Sequence, residues 1–124
     1  MSNNYIQILK SIKECELITD SVLRGEESFV VLLDKIDELT KFLEELKNSK
    51  NANHELIEII EKTLEKAYQA VETSALRFLS LMRIRDKKVL EEIYKRLSKG
   101  SYINSKLMKK IERLIKDWEE ELDL

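Results

Sequence analysis

The sequence has no proline, two glycines, one cysteine and one histidine among its 124 residues. With only Gly25 and Gly100, the chain has little turn chemistry, whereas its abundant Leu, Ile, Glu and Lys favour helices. A single cysteine, Cys15, cannot form an internal disulfide, and one thiol with one histidine cannot form a Cys/His zinc site. These absences predict an all-α intracellular protein.

Long apolar runs are also missing. No segment approaches the roughly 18–20 apolar residues that cross a bilayer, and the N-terminal MSNNYIQILKSIKECE lacks the basic region and apolar stretch of a signal peptide. We therefore expect a cytoplasmic protein with no membrane contact. Because 43% of the residues are hydrophobic, the chain can bury one core, and we predict a single helical domain over residues 1–124.

Apolar residues recur at helical spacing in four segments. The pattern predicts helices over residues 4–17, 28–47 and 104–122, and a third segment of about 45 residues from residue 54 that is one long helix or two nearly collinear ones. Polar breaks separate them at ITDSVLRGEES, NSKNAN and SYINS, and Lys95, Arg96 and Lys99 before Gly100 suit the end of the third. We predict a bundle of four main helices with the long third helix as its spine.

The apolar stripe of the third segment, which we expect to be buried, includes Phe78, Met82, Val89 and Ile93, and charges lie inside it in the stretch SLMRIRDKKVLEEI. At about 100° per residue, Arg85 and Asp86 lie close to the direction of the stripe. An unpaired buried charge is costly, so this turn is exposed, kinked or matched by an opposite charge. In addition, Leu81 and Ile84 lie off the stripe and widen the apolar surface, which favours burial by several neighbours or by another subunit.

Charge is distributed unevenly along the chain. Residues 1–82 carry 10 Lys+Arg and 15 Asp+Glu, residues 83–116 carry 12 and 4, and residues 117–124 carry 0 and 5. The basic block is either a solvated helix face or a surface for an acidic partner or nucleic acid.

Catalytic and cofactor motifs are not recognisable. His54 stands alone near a helix start, two isolated glycines cannot form a phosphate-binding loop, and Cys15 falls on a helix face that would bury it. The carboxylates alternate with lysines at the spacing of solubilising pairs. We predict no enzyme activity, no metal and no cofactor.

Aromatic residues are few, and they suit packing better than base stacking. Only Tyr94 and Tyr102 lie in the basic block, and neither position indicates a stacking platform. Trp118 is either a core residue, which we favour, or an exposed anchor for a partner.

The segment ALRFLSLMRIRDKKVLEEI resembles the most characteristic helix of GINS subunits, in which an Arg-x-x-Lys-[Ile/Val] element follows an apolar run; here it is Arg85, Lys88 and Val89. The order of predicted helices is similar to the helical domain of the archaeal subunit. The resemblance implies a non-enzymatic scaffold at the DNA replication fork, whose subunits form tetramers and bridge the MCM helicase to a RecJ-like or Cdc-type partner. Family members usually add a small β-rich domain, which the residues after Trp118 could not form. The expectation is therefore a helical-domain-only version, a truncated form or a member of a different family.

Two functions remain open. The first is an oligomeric assembly subunit that binds a sister subunit and replicative helicase components; its predicted interface comprises Leu81, Ile84, Arg85, Lys88, Val89 and Trp118. The alternative is an adaptor or nucleic-acid-binding helical protein that uses the basic block 83–116. The candidate contacts for nucleic acid are Arg83, Lys87, Lys95, Arg96, Lys99, Lys106, Lys109 and Lys110, with Arg85, Lys88, Arg113 and Lys116 in the same block. The sequence pI near 5.6 argues against a general DNA-binding role.

Overall fold

The computed structural model describes residues 2–98 and 105–122 of the chain. In these ranges it contains α-helices and a short 3₁₀ turn but no strand, which confirms the all-α class. The helices are α1 (Ser2–Leu23), α2 (Phe29–Lys47), α3 (His54–Leu81), α4 (Lys87–Leu97) and α5 (Ser105–Leu122), with the 3₁₀ turn at Ile84–Asp86.

The predicted helices α2 and α5 agree with the structure to within one residue, but the third predicted helix does not. It is divided by a break after Leu81 into α3 and α4, so the described residues contain five helices and not four. Lys99, Gly100 and SYINS, which were predicted to end the third helix and connect it to the last, lie outside the described residues.

α1 extends six residues beyond the end that the sequence predicts, because its stop signal is Gly25 and not the polar residues from Thr19 onward. Gly25 has φ +76°, a conformation that side chains disfavour. Its N–H donates to the Val22 carbonyl at 3.0 Å, and the Glu26 N–H donates to the Ser21 carbonyl at 2.9 Å. This pair of bonds is a Schellman motif, which satisfies the last carbonyls of a helix.

The chain divides into two compact units, unit 1 (Met1–Ser74) and unit 2 (Ala75–Leu124). That the whole chain forms a single domain stays a prediction. In unit 1, α1 packs against α2, and the predicted stripe of α2 is buried through Leu32, Ile36 and Leu39. Hydrogen bonds cap the helix starts: Ser28 Oγ accepts from the Val30 N–H at 3.2 Å, and Asn53 Oδ1 accepts from the Leu56 N–H at 3.1 Å.

One lysine joins the helices of unit 1. Lys35 Nζ of α2 donates to Glu14 of α1 at 2.5 Å and to Glu38 of its own helix at 2.7 Å. The Lys35 side chain is only 17% exposed, so both carboxylates meet a partly desolvated charge. These hydrogen bonds raise the pKa of Lys35 and lower the pKa of Glu14.

In unit 2, α4 packs against α5. Leu90 and Leu97 of α4 and Leu107 and Ile111 of α5 are almost completely buried, which is the amphipathic burial that the sequence pattern predicts for the last helix. The Tyr94 hydroxyl of α4 donates to Glu112 Oε1 of α5 at 2.5 Å. Within the described residues, no helix combines the length and apolarity needed to cross a bilayer.

Candidate protein-interaction surface

The charged turn of the third predicted helix is a helix break. α3 ends at Leu81, and Arg83 adopts extended backbone angles (φ −123°, ψ 170°). The Asp86 carboxylate accepts a hydrogen bond from the Arg83 N–H at 2.9 Å, and the Asp86 N–H donates to the Arg83 carbonyl at 2.8 Å. The carboxylate thereby satisfies an N–H group at the start of the new helical segment. The sequence allowed this turn to be exposed, kinked or matched by an opposite charge. In the structure the helix is broken here, and Arg85 is exposed while Asp86 is half-exposed.

The break changes which face of the following helix is buried. A continuous helix would bury Val89, but in α4 Val89 is 50% exposed while Leu90 and Leu97 are fully buried. Leu90 lies about 100° further around the helix than Val89. The prediction of a continuous stripe through Val89 is therefore wrong. Of the two forms that the sequence left open, one long helix or two, the structure has two, and α3 with 28 residues is the longest helix described.

Large apolar side chains are exposed on both sides of the break. Leu81, in the last turn of α3, is 74% exposed, the highest value among the large hydrophobic residues described. Phe78, three residues earlier and therefore on the same side of α3, is 40% exposed. The apolar pattern of the sequence predicts that Phe78 is a core residue. Phe78 also lies three residues before Leu81, which is outside the stripe, and this spacing could have identified Phe78 as exposed.

We call the six residues Phe78, Leu81, Ile84, Arg85, Lys88 and Val89 the junction surface. All belong to unit 2, and Ile84 is half-exposed while Arg85 and Lys88 are exposed. Among the described residues, neither Arg85 nor Lys88 forms an ion pair. The surface thus combines exposed apolar side chains with cations that no internal acid neutralises.

Trp118 does not belong to this surface. It is 7% exposed, so its indole lies among the buried residues of unit 2 and does not project as an anchor for a partner. The prediction that Trp118 belongs to the interface is therefore corrected. The other prediction, that Trp118 is a core residue, agrees with its low exposure. The physical reason is its spacing on α5, which puts it on the same helix face as Leu107 and Ile111.

The candidate nucleic-acid contacts are spread over several elements. Arg83 is exposed at the break, where its guanidinium donates to the Met82 carbonyl at 3.3 Å. Lys95 is exposed and Arg96 half-exposed in the last turn of α4, and Lys99 lies outside the described residues. The remaining candidates, on α5, are exposed: Lys106, Lys109 and Lys110, together with Arg113 and Lys116 from the same block.

Lys87, which was predicted to contact nucleic acid, forms ion pairs inside unit 2. Its Nζ lies 2.7 Å from Glu91 Oε1 on α4 and 3.4 Å from Glu119 Oε1 on α5, and the side chain is 23% exposed. The hydrogen bond to Glu91 raises the pKa of Lys87. Lys87 therefore joins two helices, as Lys35 does in unit 1.

Unit 1 contains two open cavities whose walls are helix surfaces. One, of about 360 Å³, lies between α1 and α3 and is lined by Glu16, Thr19, Asp20, Ile59, Lys62, Thr63 and Lys66. The other, of about 320 Å³, lies between α1 and α2 and is lined by Gln7, Lys10, Ser11, Glu14, Glu38 and Phe42. Neither set of lining residues includes His54 or Cys15.

The lone cysteine and histidine do not form a reactive site in this structure. Cys15 is completely buried, and burial raises the pKa of its thiol to about 11, which disfavours the nucleophilic thiolate. His54 is exposed at the start of α3. Among the described residues, no group of three or more His, Cys, Asp and Glu side chains is placed to hold a metal ion; that the protein uses no metal or cofactor stays a prediction.

No protein-family model, curated protein or solved structure matches this chain. The resemblance to GINS subunits therefore rests on its sequence pattern, and the function must be argued from the described surfaces.

Proposed function

We propose that this chain is a non-enzymatic assembly subunit that binds a protein partner through the junction surface. The observation that carries the proposal is the exposure of Leu81, 74% in the last turn of α3. An exposed leucine alone is ordinary on a protein surface. Here Phe78, one turn before it on the same side of α3, is also exposed, and exposed apolar side chains that adjoin in this way are typical of interaction sites. Val89, on α4 beyond the break, is 50% exposed.

The chemistry of the surface indicates the kind of partner. Arg85 and Lys88 are exposed beside the apolar residues and have no internal acid partner among the described residues. Protein interfaces commonly combine an apolar centre with a polar rim, and arginine is enriched in them. We therefore expect a partner surface with an apolar pocket bordered by carboxylates.

The finer form of the proposal is a GINS-like scaffold. Arg85, Lys88 and Val89, which carry the family resemblance, are three of the six residues of the junction surface. A sister subunit and the MCM helicase are therefore the first partners to test. A cytoplasmic location and membership in a homo- or hetero-oligomer belong to this proposal.

The absence of enzyme activity is also part of the proposal. It is supported by the burial of Cys15 and by the open, charged walls of the two cavities. A nucleophile needs a base within reach. In the cavity between α1 and α3 the Thr19 and Thr63 hydroxyls donate to the backbone carbonyls of Cys15 and Ile59. In the cavity between α1 and α2 the Ser11 hydroxyl has no hydrogen-bond partner among the described residues, so none of these three hydroxyls is bonded to a base.

The experiment measures the mass of the full chain by size exclusion with light scattering, alone and after co-expression with a sister GINS subunit or the helicase. We expect a dimer or a heteromeric complex. The double substitution Leu81→Ser and Val89→Ser should weaken it at least about tenfold, because burying each side chain contributes about 1.5–3 kcal/mol.

A matched control makes the same chemical change in unit 1. Leu17 of α1 and Val31 of α2 are 57% and 39% exposed, and their replacement by serine should leave the complex intact. A chain that stays monomeric at all concentrations and retains neither partner would contradict the proposal. Equal weakening by both double variants would assign the effect to general surface apolarity and reject the junction surface.

A further inference from the structure

The charges of α5 are arranged against the helix dipole. The first turn of α5 contains no acid and the last turn no base, while Lys106 lies in the first turn and Glu119, Glu120 and Glu121 lie in the last. Acids stabilise a helix near its N-terminus and cations near its C-terminus, so this order costs helix stability. The neighbouring α4 follows the favourable order, with Lys95 and Arg96 in its last turn.

The basic residues of α5 share one face. At about 100° per residue, the five cations between residues 106 and 116 fall within an arc of about 120° opposite the buried side of α5, which Leu107, Ile111 and Trp118 define. All five are exposed. We call them the α5 basic face: Lys106, Lys109, Lys110, Arg113 and Lys116.

Four cations of this face have no ion pair among the described residues: Lys109, Lys110, Arg113 and Lys116. Glu112, at the edge of the face, accepts the hydrogen bond from Tyr94. Asp117 and Glu120 fall in the same arc but follow the cations toward the C-terminal end of α5. The four cations therefore present their charge to solvent, and the acids limit the basic face to the part of α5 before residue 117.

We propose that the α5 basic face binds the phosphodiester backbone of nucleic acid without reading its sequence. The pI near 5.6 argues against a chain that is basic throughout, but the pI sums the charges of all residues, whereas these cations are concentrated on one face. The five cations extend over about 15 Å of helix axis, since each residue rises 1.5 Å. One strand of a duplex places a phosphate every 3.4 Å or so, so about four phosphates fit along this length. This activity is separate from protein binding at the junction surface and does not depend on it.

Two features favour nucleic acid over an acidic protein. The face consists of cations without an exposed apolar side chain between them, whereas protein interfaces depend on buried aromatic and aliphatic anchors. Phosphate binding needs charge alone, through release of counterions. The nearby Tyr94 is half-buried and bonded to Glu112, so within residues 105–122 and the neighbouring α4 no aromatic platform for base recognition accompanies the cations, which favours sequence-independent binding.

The test is fluorescence anisotropy of the full chain with labelled single-stranded DNA, single-stranded RNA and duplex DNA. Four phosphate contacts predict a slope of log affinity against log salt of about −3.6 on duplex and about −2.8 on single strands. Between 50 and 200 mM salt the affinity should therefore fall by about 50-fold or more. The three probes show whether one polymer is preferred.

The decisive variants remove four cations at a time. One neutralises the α5 basic face with Lys109→Gln, Lys110→Gln, Arg113→Gln and Lys116→Gln. Its control removes four exposed cations of unit 1 with Lys13→Gln, Lys41→Gln, Lys47→Gln and Lys50→Gln, so that both proteins carry the same net charge. We expect the first to lose binding at least about 30-fold with a slope near zero, and the control to stay within about twofold.

Thermal unfolding checks that lost binding is not lost folding. Because the four cations are exposed and form no ion pair among the described residues, their neutralisation should leave the melting temperature nearly unchanged. The absence of binding at 50 mM salt, or equal losses in both variants, would overturn the proposal. Equally tight, salt-dependent binding of poly-glutamate would assign the face to an acidic protein and would also overturn it.

Discussion

Units 1 and 2 differ in the use of their charged residues. Unit 1 has 9 Lys+Arg against 15 Asp+Glu, and unit 2 has 13 against 9. Both contain a lysine that joins two helices, Lys35 in unit 1 and Lys87 in unit 2. Cations that form no ion pair within the described residues occur in both units, for example Lys13 and Lys41 in unit 1 and Lys109 and Arg113 in unit 2. The units differ in what surrounds these cations: unit 1 has an excess of acids, whereas the cations of α5 share one helix face. Like charge concentrated on one face indicates a surface whose partner lies outside the chain.

The units also differ in their cores. Among the described residues, 17 buried hydrophobic residues lie in unit 1 and seven in unit 2, so unit 2 depends on fewer side chains for its stability. Its most exposed large hydrophobic residue, Leu81, lies at the edge of this small core. We interpret unit 1 as the better buried unit and unit 2 as the one that presents binding surfaces.

The largest difference that we expect between the two units is in the reactivity of a cysteine placed in each. The pKa of Cys15 is raised to about 11 by burial, whereas an exposed thiol has a pKa near 8.5 and at pH 8 holds roughly 200-fold more thiolate. The exposed thiol introduced by Leu81→Cys in a Cys15→Ala background should therefore react with iodoacetamide at least about 200-fold faster than native Cys15. Mass spectrometry of timed samples measures both rates.

Denaturant provides the control for the thiol experiment. In the unfolded chain the two thiols should react at similar rates, because burial no longer separates them. Equal rates under native conditions would show that unit 1 opens readily around Cys15, and would contradict its interpretation as the better buried unit.

Core substitutions should have the next largest effect. Leu32 in unit 1 and Leu90 in unit 2 are both fully buried, and replacing either with alanine should cost about 2–5 kcal/mol of the free energy of unfolding. The exposed Leu81→Ala is the matched control and should change stability by about 0.5 kcal/mol or less. Chemical denaturation measures the loss, and hydrogen exchange shows which unit it affects.

The Leu90 result also tests the helix break. If α3 continued into α4 without interruption, Val89 would be the buried residue and Val89→Ala would cost more than Leu90→Ala. We expect the reverse order. Similar small losses for both substitutions would indicate that neither face of α4 is packed.

The pattern of apolar residues was sufficient to predict the bounds of α2 and α5, because each has one continuous stripe between polar segments. It failed at the break, where no glycine or proline ends α3 and the stripe continues through Val89. The cap depends on a bond between the Asp86 carboxylate and the Arg83 N–H, a contact that spacing alone does not reveal. The sequence signalled the place only through the charges of Arg85 and Asp86 within the stripe.

The residues of the candidate surfaces, like the helix bounds, could be predicted only in part from the sequence. Leu81 was identified because it lies off the stripe, and its exposure agrees with that reasoning. Phe78 was missed because a phenylalanine at stripe spacing looks like a core residue. The ion pair between Lys87 and Glu119 was not predicted, because it joins residues 32 positions apart on different helices. A single sequence does not show which helices pack together.

We expect the smallest effect on stability from replacing Lys35 and Lys87, the two lysines that each join two helices. Lys35→Met should lower the free energy of unfolding by up to about 1 kcal/mol, since partly exposed ion pairs contribute modestly. Lys87→Met should cost less, because its contact with the second helix is 3.4 Å long against 2.5 Å for that of Lys35. Thermal and chemical unfolding at neutral pH measure both losses.

The pH dependence of the Lys35→Met effect identifies its cause. Lys35 lowers the pKa of Glu14 below its ordinary value of 4.5, so the stabilisation is fully present above that value and is lost as the pH falls through the lowered pKa. Lys35 itself has a raised pKa and stays protonated throughout this range. The stability of Lys35→Met should therefore approach that of the native chain in acid. A difference that persisted unchanged after Glu14 is protonated would show that the methylene chain of Lys35 stabilises unit 1 by packing and that the ion pair does not.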